Sequence, residues 1–286
     1  MRYEAPNSVE AAVKLLASEA GMARVLAGGT DLLVQLRSGR TEPDLVVDVK
    51  RIAAMKAITA EAGGFRIGAA VSGAEMGEHA ALGKLWPGVV EAARLIGSTQ
   101  VQGRATMVGN LCNASPAADS VPALVAASAT ARIVGPKGRR DIPVEDVAVS
   151  PGKTSLAKGE LIESVFLPAR PAHSGDAYLR FIPRSEMDIA VVGAGVNVTL
   201  DAGGVCRAAR VSLGAVAAKV LLVEEAARAL IGTKIDEAAL AKLAAAASAA
   251  CRPIDDKRGT KEFRIQVAGV LARRAAEKAL QRARGK

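Results

Sequence analysis

Histidine, cysteine and aromatic side chains are all scarce in this 286-residue chain, and each scarcity removes a class of function. The two histidines, His79 and His173, are isolated, so no Ser–His–Asp or Cys–His arrangement is in prospect. Three cysteines, Cys112, Cys206 and Cys251, lie far apart and form no C-x-x-C pair. That excludes an iron–sulfur cluster or a structural zinc site built from this chain. They read as reduced thiols in a cytoplasmic setting, with Cys112 a small packed side chain. Four Phe, two Tyr and one Trp are too few to stack bases along a single strand. The net charge of +9, concentrated between Lys257 and Lys286, therefore reads as a solvated helix face or a docking surface for an acidic partner, not as a nucleic-acid site. Long apolar runs are missing too. Met1 to Glu10 carries charges at Arg2, Glu4 and Glu10, and Lys219 and Lys242 interrupt the later apolar stretches, so neither an export signal nor a membrane span is expected.

What is present is a chain that is half hydrophobic and long enough for two or three units with substantial cores. Asn7 or Ser8 is placed to cap a helix whose apolar stripe is Val9, Val13, Leu15 and Leu16. Strands from Arg24 to Ala27 and from Asp44 to Lys50 flank a short helix carrying Leu32, Leu33 and Leu36. Together they predict a small α/β unit with some parallel pairing. A second unit begins with a strand over Phe65 to Ala70, a helix capped by Ser72 and another helix from Pro87 to Ile96. It ends with a Gly135–Gly138 turn between two strands and a strand from Leu161 to Pro168. The stretch "PARPAHSGD", Pro168 to Asp176, is the best linker candidate. Beyond it the pattern predicts strands near Ala177–Pro183, Ile189–Leu200 and Val205–Gly214, then helices near Leu221–Ile231, Asp236–Ala250 and Thr260–Arg284.

Two segments carry the chemistry. "LAGGTDLL", Leu26 to Leu33, places Gly28 and Gly29 where a strand meets a helix. Glycines there leave no Cβ in the way, so consecutive amides converge on an anion near the positive end of the helix. A tight turn needs the same residues, and on this stretch alone both readings stand. It is neither a Walker loop nor the G-x-G-x-x-G fingerprint. "ATMVGNLCNASPAADS", Ala105 to Ser120, crowds Thr106, Gly109, Asn110, Asn113, Ser115 and Asp119 together. Polar groups that dense need partners if buried, and a polar ligand held between two adjacent units supplies them.

The pair of segments, with "DIAVVGAGV" from Asp188 to Val196, resembles the FAD-binding medium subunits of molybdenum-containing hydroxylases, the xanthine dehydrogenase and carbon monoxide dehydrogenase family. The resemblance spans the whole chain. It implies an α+β fold: a two-lobed FAD-binding domain over 1–172, with a small α/β lobe (about 1–57) and a larger mixed or antiparallel lobe (58–172). A C-terminal flavoprotein domain follows over 173–286, a small three-stranded antiparallel sheet with three helices. By position it implies that Val25, Leu26, Ala27, Gly28, Gly29, Thr30, Asp31 and Leu32 cradle the FAD pyrophosphate. Thr106, Met107, Val108, Gly109 and Asn110 correspond to the second loop, Asp119 and Ile96 to further cofactor contacts, and Ile162 to an apolar position near the isoalloxazine. Val108 stands where relatives usually have glycine, and Ile182 where several have lysine.

The function so implied is electron transfer within a heteromeric molybdenum hydroxylase. A large subunit with the molybdenum cofactor oxidises the substrate, a small subunit with 2Fe–2S clusters relays electrons, and FAD in this chain passes them to NAD or another acceptor. The complex is expected as a dimer of heterotrimers, without catalytic or metal-ligating side chains in this chain. The loop "AGGTD", where carbon monoxide dehydrogenases usually have "AGGHS", points toward a purine, aldehyde or heteroaromatic substrate. Two other readings are a self-sufficient FAD-dependent oxidase of the related fold and a non-enzymatic basic interaction protein.

Overall fold

A computed structural model describes residues 1–285. The chain opens with a short strand β1 (Arg2–Glu4), which lacks an apolar pattern and was not expected. Ser8 then caps α1 (Val9–Ser18), its hydroxyl accepting from the Ala11 amide at 3.1 Å. The helix buries Val9, Ala12, Val13 and Leu16, while Leu15 is only partly covered. Strand β2 (Ala23–Leu26), helix α2 (Leu32–Arg37) and strand β3 (Leu45–Asp48) complete the first lobe. Its three-stranded sheet runs in the order β1-β3-β2, all parallel. Strand β3 is central and buried on both faces, which is why it reads as a continuous apolar run.

The second lobe is an antiparallel sheet with helices packed beside it. Its strands are β4 (Ile58–Glu61), β5 (Gly64–Gly68), β6 (Thr130–Gly135), β7 (Gly138–Pro143) and β10 (Leu161–Leu167), in the order β4-β5-β10-β6-β7. The two-stranded pair β8 (Ala148–Ser150) and β9 (Lys153–Thr154) lies between. Helices α3 (Gly73–Glu78), α4 (Ala80–Leu85), α5 (Pro87–Arg94), α6 (Met107–Cys112) and α7 (Ser120–Ala126) fill the segment between β5 and β6. Ser72 and Glu75 form a capping box on α3, and His79 Nδ1 accepts from the Leu82 amide to cap α4. One hydrophobic cluster unites both lobes and also takes in Tyr178 and Val220 from beyond the linker.

The third unit holds β11 (Ser174–Phe181), β12 (Val192–Leu200), β13 (Cys206–Gly214) and β14 (Leu221–Leu222). The sheet therefore has four strands, not three: Leu221 and Leu222 pair with Leu213 and Ser212 and are not the start of a helix. Two apolar residues carry no period that separates a strand from a helical turn. The helices are α8 (Glu224–Arg228), α9 (Glu237–Ala250) and α10 (Lys261–Ala283), and a second hydrophobic cluster lies beneath them. Every residue of α7 is buried, and the helix packs against β12 and β13, so the end of the second segment is clamped between the two cores. Among the described residues no helix is long and apolar enough to cross a membrane.

Candidate functional site

The first segment leaves β2 at Leu26 and enters α2 at Leu32. Gly29 has φ +79°, the left-handed conformation that favours glycine. Gly28 is required for a different reason: a Cβ there would lie 1.9 Å from the carbonyl oxygen of Arg104, backbone that cannot step aside. The first loop thus rests directly on the residues that lead into the second segment. A Cβ on Gly29 would point inward, 2.9 Å from Leu26 Cδ1 and 3.2 Å from Leu33 Cδ1, and not toward the outer face of the loop. Asp31 occupies the N-cap position of α2, yet its carboxylate makes no cap hydrogen bond.

The amides decide what this loop can do. Among the described residues, the N–H groups of Gly28, Gly29, Thr30, Asp31 and Leu32 donate to no other protein group; the first helical bond is that of Leu33 N–H to Gly29 O, at 3.0 Å. Successive unpaired donors at a partly open strand-to-helix junction suit an anionic acceptor. Adjacent to them, Lys50 Nζ bonds Ala27 O at 3.1 Å and both carboxylate oxygens of Asp48 at 2.8 Å.

The polar side chains of the second segment are satisfied from within, while the Thr106 and Val108 N–H groups at the start of α6 donate to no other protein group among the described residues. Thr106 caps α6 by accepting from the Gly109 amide at 3.0 Å. Asn110 Oδ1 accepts from the Ser120 amide at 3.2 Å and from the Ser120 hydroxyl at 2.7 Å, and Ser115 Oγ accepts from the Ala117 amide. Asn113 accepts from Gln35 Nε2 at 3.5 Å, a long bond that joins α6 to α2. Val108 is a buried residue of α6 with helical geometry, so no positive φ is needed where relatives carry glycine. Met107 and Val108 pack in the common core together with Ile162 of β10. Burial pushes the Cys112 thiol up to about 12, which keeps it protonated and inert.

Asp119 is buried where the two cores meet. One of its oxygens accepts from the Tyr178 hydroxyl at 2.9 Å and the other from Arg180 Nη1 at 2.7 Å. Burial pushes its carboxyl up to about 6, against the pull of Arg180 and Tyr178. Burial, then the Asp119 charge, raises Tyr178 as well. Arg180 also donates to Leu95 O at 3.0 Å, so one guanidinium ties the residue before Ile96 to Asp119 and to the strand that ends just before Ile182. Ile182 is half-buried.

The expected site residues therefore form a continuous line. Val25–Leu32 touches Arg104, two residues before Thr106–Asn110; Asn110 binds Ser120, next to Asp119; and Arg180 bonds Asp119 and Leu95 O, placing the neighbours Ile96 and Ile182 near the far end. Ile162 enters only through the core beneath α6. Sequence reasoning missed Tyr3, Asp48, Lys50, Tyr178 and Arg180. Their roles depend on strand neighbours that are distant in sequence, and no local spacing signals them.

A fold with a parallel first lobe, an antiparallel second lobe and unpaired amides at the first loop defines an α+β protein, and comparison with known proteins gives its family. Residues 1–170 match the family model described as the FAD binding domain in molybdopterin dehydrogenase, and residues 177–279 match the CO dehydrogenase flavoprotein C-terminal domain. The chain belongs to this family of FAD-binding oxidoreductase subunits. It is 34% identical to the carbon monoxide dehydrogenase medium chain of Afipia carboxidovorans, over 99% of this chain and 97% of the relative. It is 29% identical to a putative xanthine dehydrogenase FAD-binding subunit of Escherichia coli K12, with coverage of 99% and 97%. Among solved structures, the cyanide-inactivated Cu,Mo-CO dehydrogenase matches with a TM-score of 0.94 at 33% identity, over 99% of this chain and 98% of that one. Quinoline 2-oxidoreductase from Pseudomonas putida 86 matches at 0.90 and 28%, with coverage of 99% and 98%.

Proposed function

We propose that this chain is the electron-transfer subunit of a heteromeric molybdenum hydroxylase and that it holds FAD along the line of residues just described. The observation that carries the reading is the row of unpartnered amides from Gly28 to Leu32 beside a glycine that admits no Cβ. A pyrophosphate is the part of FAD whose chemistry fits such a row. The loop Val25–Leu32 would hold it, with Thr106–Asn110 as the facing wall. Ile96, Asp119, Ile162 and Ile182 would lie toward the flavin end, where Arg180 holds Asp119 in place. The FAD-binding domain is proposed to span 1–172, in lobes of about 1–57 and 58–172, and the C-terminal domain 173–286.

When bound, FAD supplies the exchange between one-electron and two-electron carriers; the protein binds, orients and shields it. No acid or base of this chain is asked to activate a substrate. The proposed partners are a small subunit with 2Fe–2S clusters and a large subunit with the molybdenum cofactor, in a dimer of heterotrimers in the cytoplasm, with NAD or another acceptor receiving the electrons. Relatives named for carbon monoxide, xanthine and 6-hydroxypseudooxynicotine dehydrogenases are similarly close to this chain, which supports substrate choice by the large subunit.

The test is to load the purified chain with FAD and assay it, alone, against aldehydes, purines and heteroaromatics. One FAD per chain and negligible turnover are expected. Efficient turnover without an iron–sulfur or molybdenum protein would overturn the reading in favour of a self-sufficient oxidase, and failure to bind FAD would overturn it altogether.

A further inference from the structure

We propose that Lys50, steered by Asp48 and Tyr3, sets the direction of the phosphate-loop amides. The inference rests on the FAD reading above and assigns a positioning role to residues outside both loops.

An ammonium beside an anion cradle invites the simpler idea that Lys50 is a phosphate ligand. Its partners give it another role first. Lys50 Nζ bonds Asp48 Oδ1 at 2.8 Å, Asp48 Oδ2 at 2.8 Å and Ala27 O at 3.1 Å. The two carboxylate oxygens lie too close together to take separate N–H groups, so the ammonium keeps a donor in reserve, but the Asp48 carboxylate neutralises its charge. Asp48 is buried, and although burial alone would raise its pKa, the bonds from Lys50 and Tyr3 outweigh that and hold it below the usual carboxylate range. It therefore stays ionised at neutral pH and keeps Lys50 engaged.

The bond to Ala27 O gives Lys50 a role in geometry. In a trans peptide the C=O and the following N–H point in opposite directions, and the described residues contain no cis bond. By holding Ala27 O, Lys50 turns the Gly28 N–H away from itself and toward the loop's other face. Gly28 carries the first of the unpaired amides, so its orientation sets the start of the row. Nothing else in the loop constrains that peptide through a hydrogen bond. Glycine on its C-terminal side makes it easy to flip, so an external restraint matters there.

The restraint is itself anchored. Tyr3 on β1 donates its hydroxyl to Asp48 Oδ2 at 2.5 Å, and the Lys50 amide donates to Asp48 Oδ1 at 3.0 Å. Parallel pairing places Tyr3 opposite Val46 and Leu26 opposite Asp48, so the central strand carries the link from one edge of the sheet to the other. This gives the short β1 a purpose that its three residues of sequence do not suggest.

The test measures binding of FAD, of ADP (which carries a pyrophosphate without a flavin) and of riboflavin (a flavin without phosphate) to the full chain. Lys50→Met should weaken FAD and ADP alike, by about tenfold, the size of one lost charge-assisted hydrogen bond. Riboflavin binding should be unchanged, and Lys50→Arg should recover most of the loss. Tyr3→Phe, at a largely exposed ring, should weaken FAD and ADP about threefold with no change in thermal unfolding, and it carries the test if Lys50→Met does not fold. Wild-type affinity for FAD and ADP in a folded Lys50→Met or Tyr3→Phe protein overturns the inference while leaving the FAD reading intact. So does an equal loss of riboflavin, which marks a general structural defect. No FAD binding by the wild-type chain overturns the reading on which the inference stands.

Discussion

The two glycine-bearing segments look alike in sequence and differ in what they leave unpaired. In the first, five consecutive amides have no protein partner among the described residues. In the second, the side chains of Thr106, Asn110, Ser115, Asp119 and Ser120 all find partners inside the protein, and the unpaired amides, such as those of Thr106 and Val108, are not consecutive. A dense set of buried polar side chains is therefore not by itself a sign of a ligand, because such groups can satisfy one another. The unpaired donors are the sign, and here they are backbone groups. The second segment is also a frame that supports the first through Arg104 and joins the two cores through Asp119.

That contrast can be broken most severely at Asp119. Asp119→Ala leaves Arg180 buried without its counter-charge and should cost about 3–5 kcal/mol in urea unfolding. The same carboxyl carries a pH signature. Burial lifts its pKa in the folded chain from 3.8 to about 6, so between those values the fold retains a proton that the unfolded chain releases. Its contribution to stability is thus fully present below about pH 4 and is lost as pH rises through about 6. The stability of wild type relative to Asp119→Asn should fall by about 2–3 kcal/mol between roughly pH 4 and pH 7. A pH-independent difference would contradict the buried placement.

Gly28→Ala should come next. Its Cβ meets the Arg104 carbonyl, so the loops must separate, at a cost of about 1–3 kcal/mol in stability. FAD retention after gel filtration should fall far more than stability does; an unchanged flavin content would show that the contact is dispensable. The smallest effect is expected at Thr106. Thr106→Val removes the α6 cap and should cost about 1 kcal/mol in thermal unfolding. FAD affinity should change less than it does for Gly28→Ala, and a larger loss of FAD at Thr106 would mean that the second segment is more than a frame.

Much of this was legible beforehand. The buried run at Leu45–Asp48, the Ser8 and Ser72 caps, the Gly135–Gly138 hairpin and the strand-to-helix loop at Gly28 all announce themselves through local periodicity or turn chemistry. The rest depends on which strands become neighbours. Strand β1 is too short and polar to stand out, and Tyr3 meets Asp48 only through parallel pairing across 45 residues. Asp119 signals a polar site in sequence, but its partners Tyr178 and Arg180 come from beyond the linker, so its share in joining the two cores could not be read locally. Gly28 was visible as a glycine, but the reason for it, the Arg104 carbonyl, was not.

The most direct measurement is an amide NMR titration of the full chain with FAD. The account predicts the largest downfield proton shifts at Gly28, Gly29, Thr30, Asp31 and Leu32, as free donors gain an anionic acceptor, with smaller changes at Gly109 and Asn110, whose amides are already bonded to Thr106. Saturation of the chain with FAD while those five amides stay unmoved would contradict it.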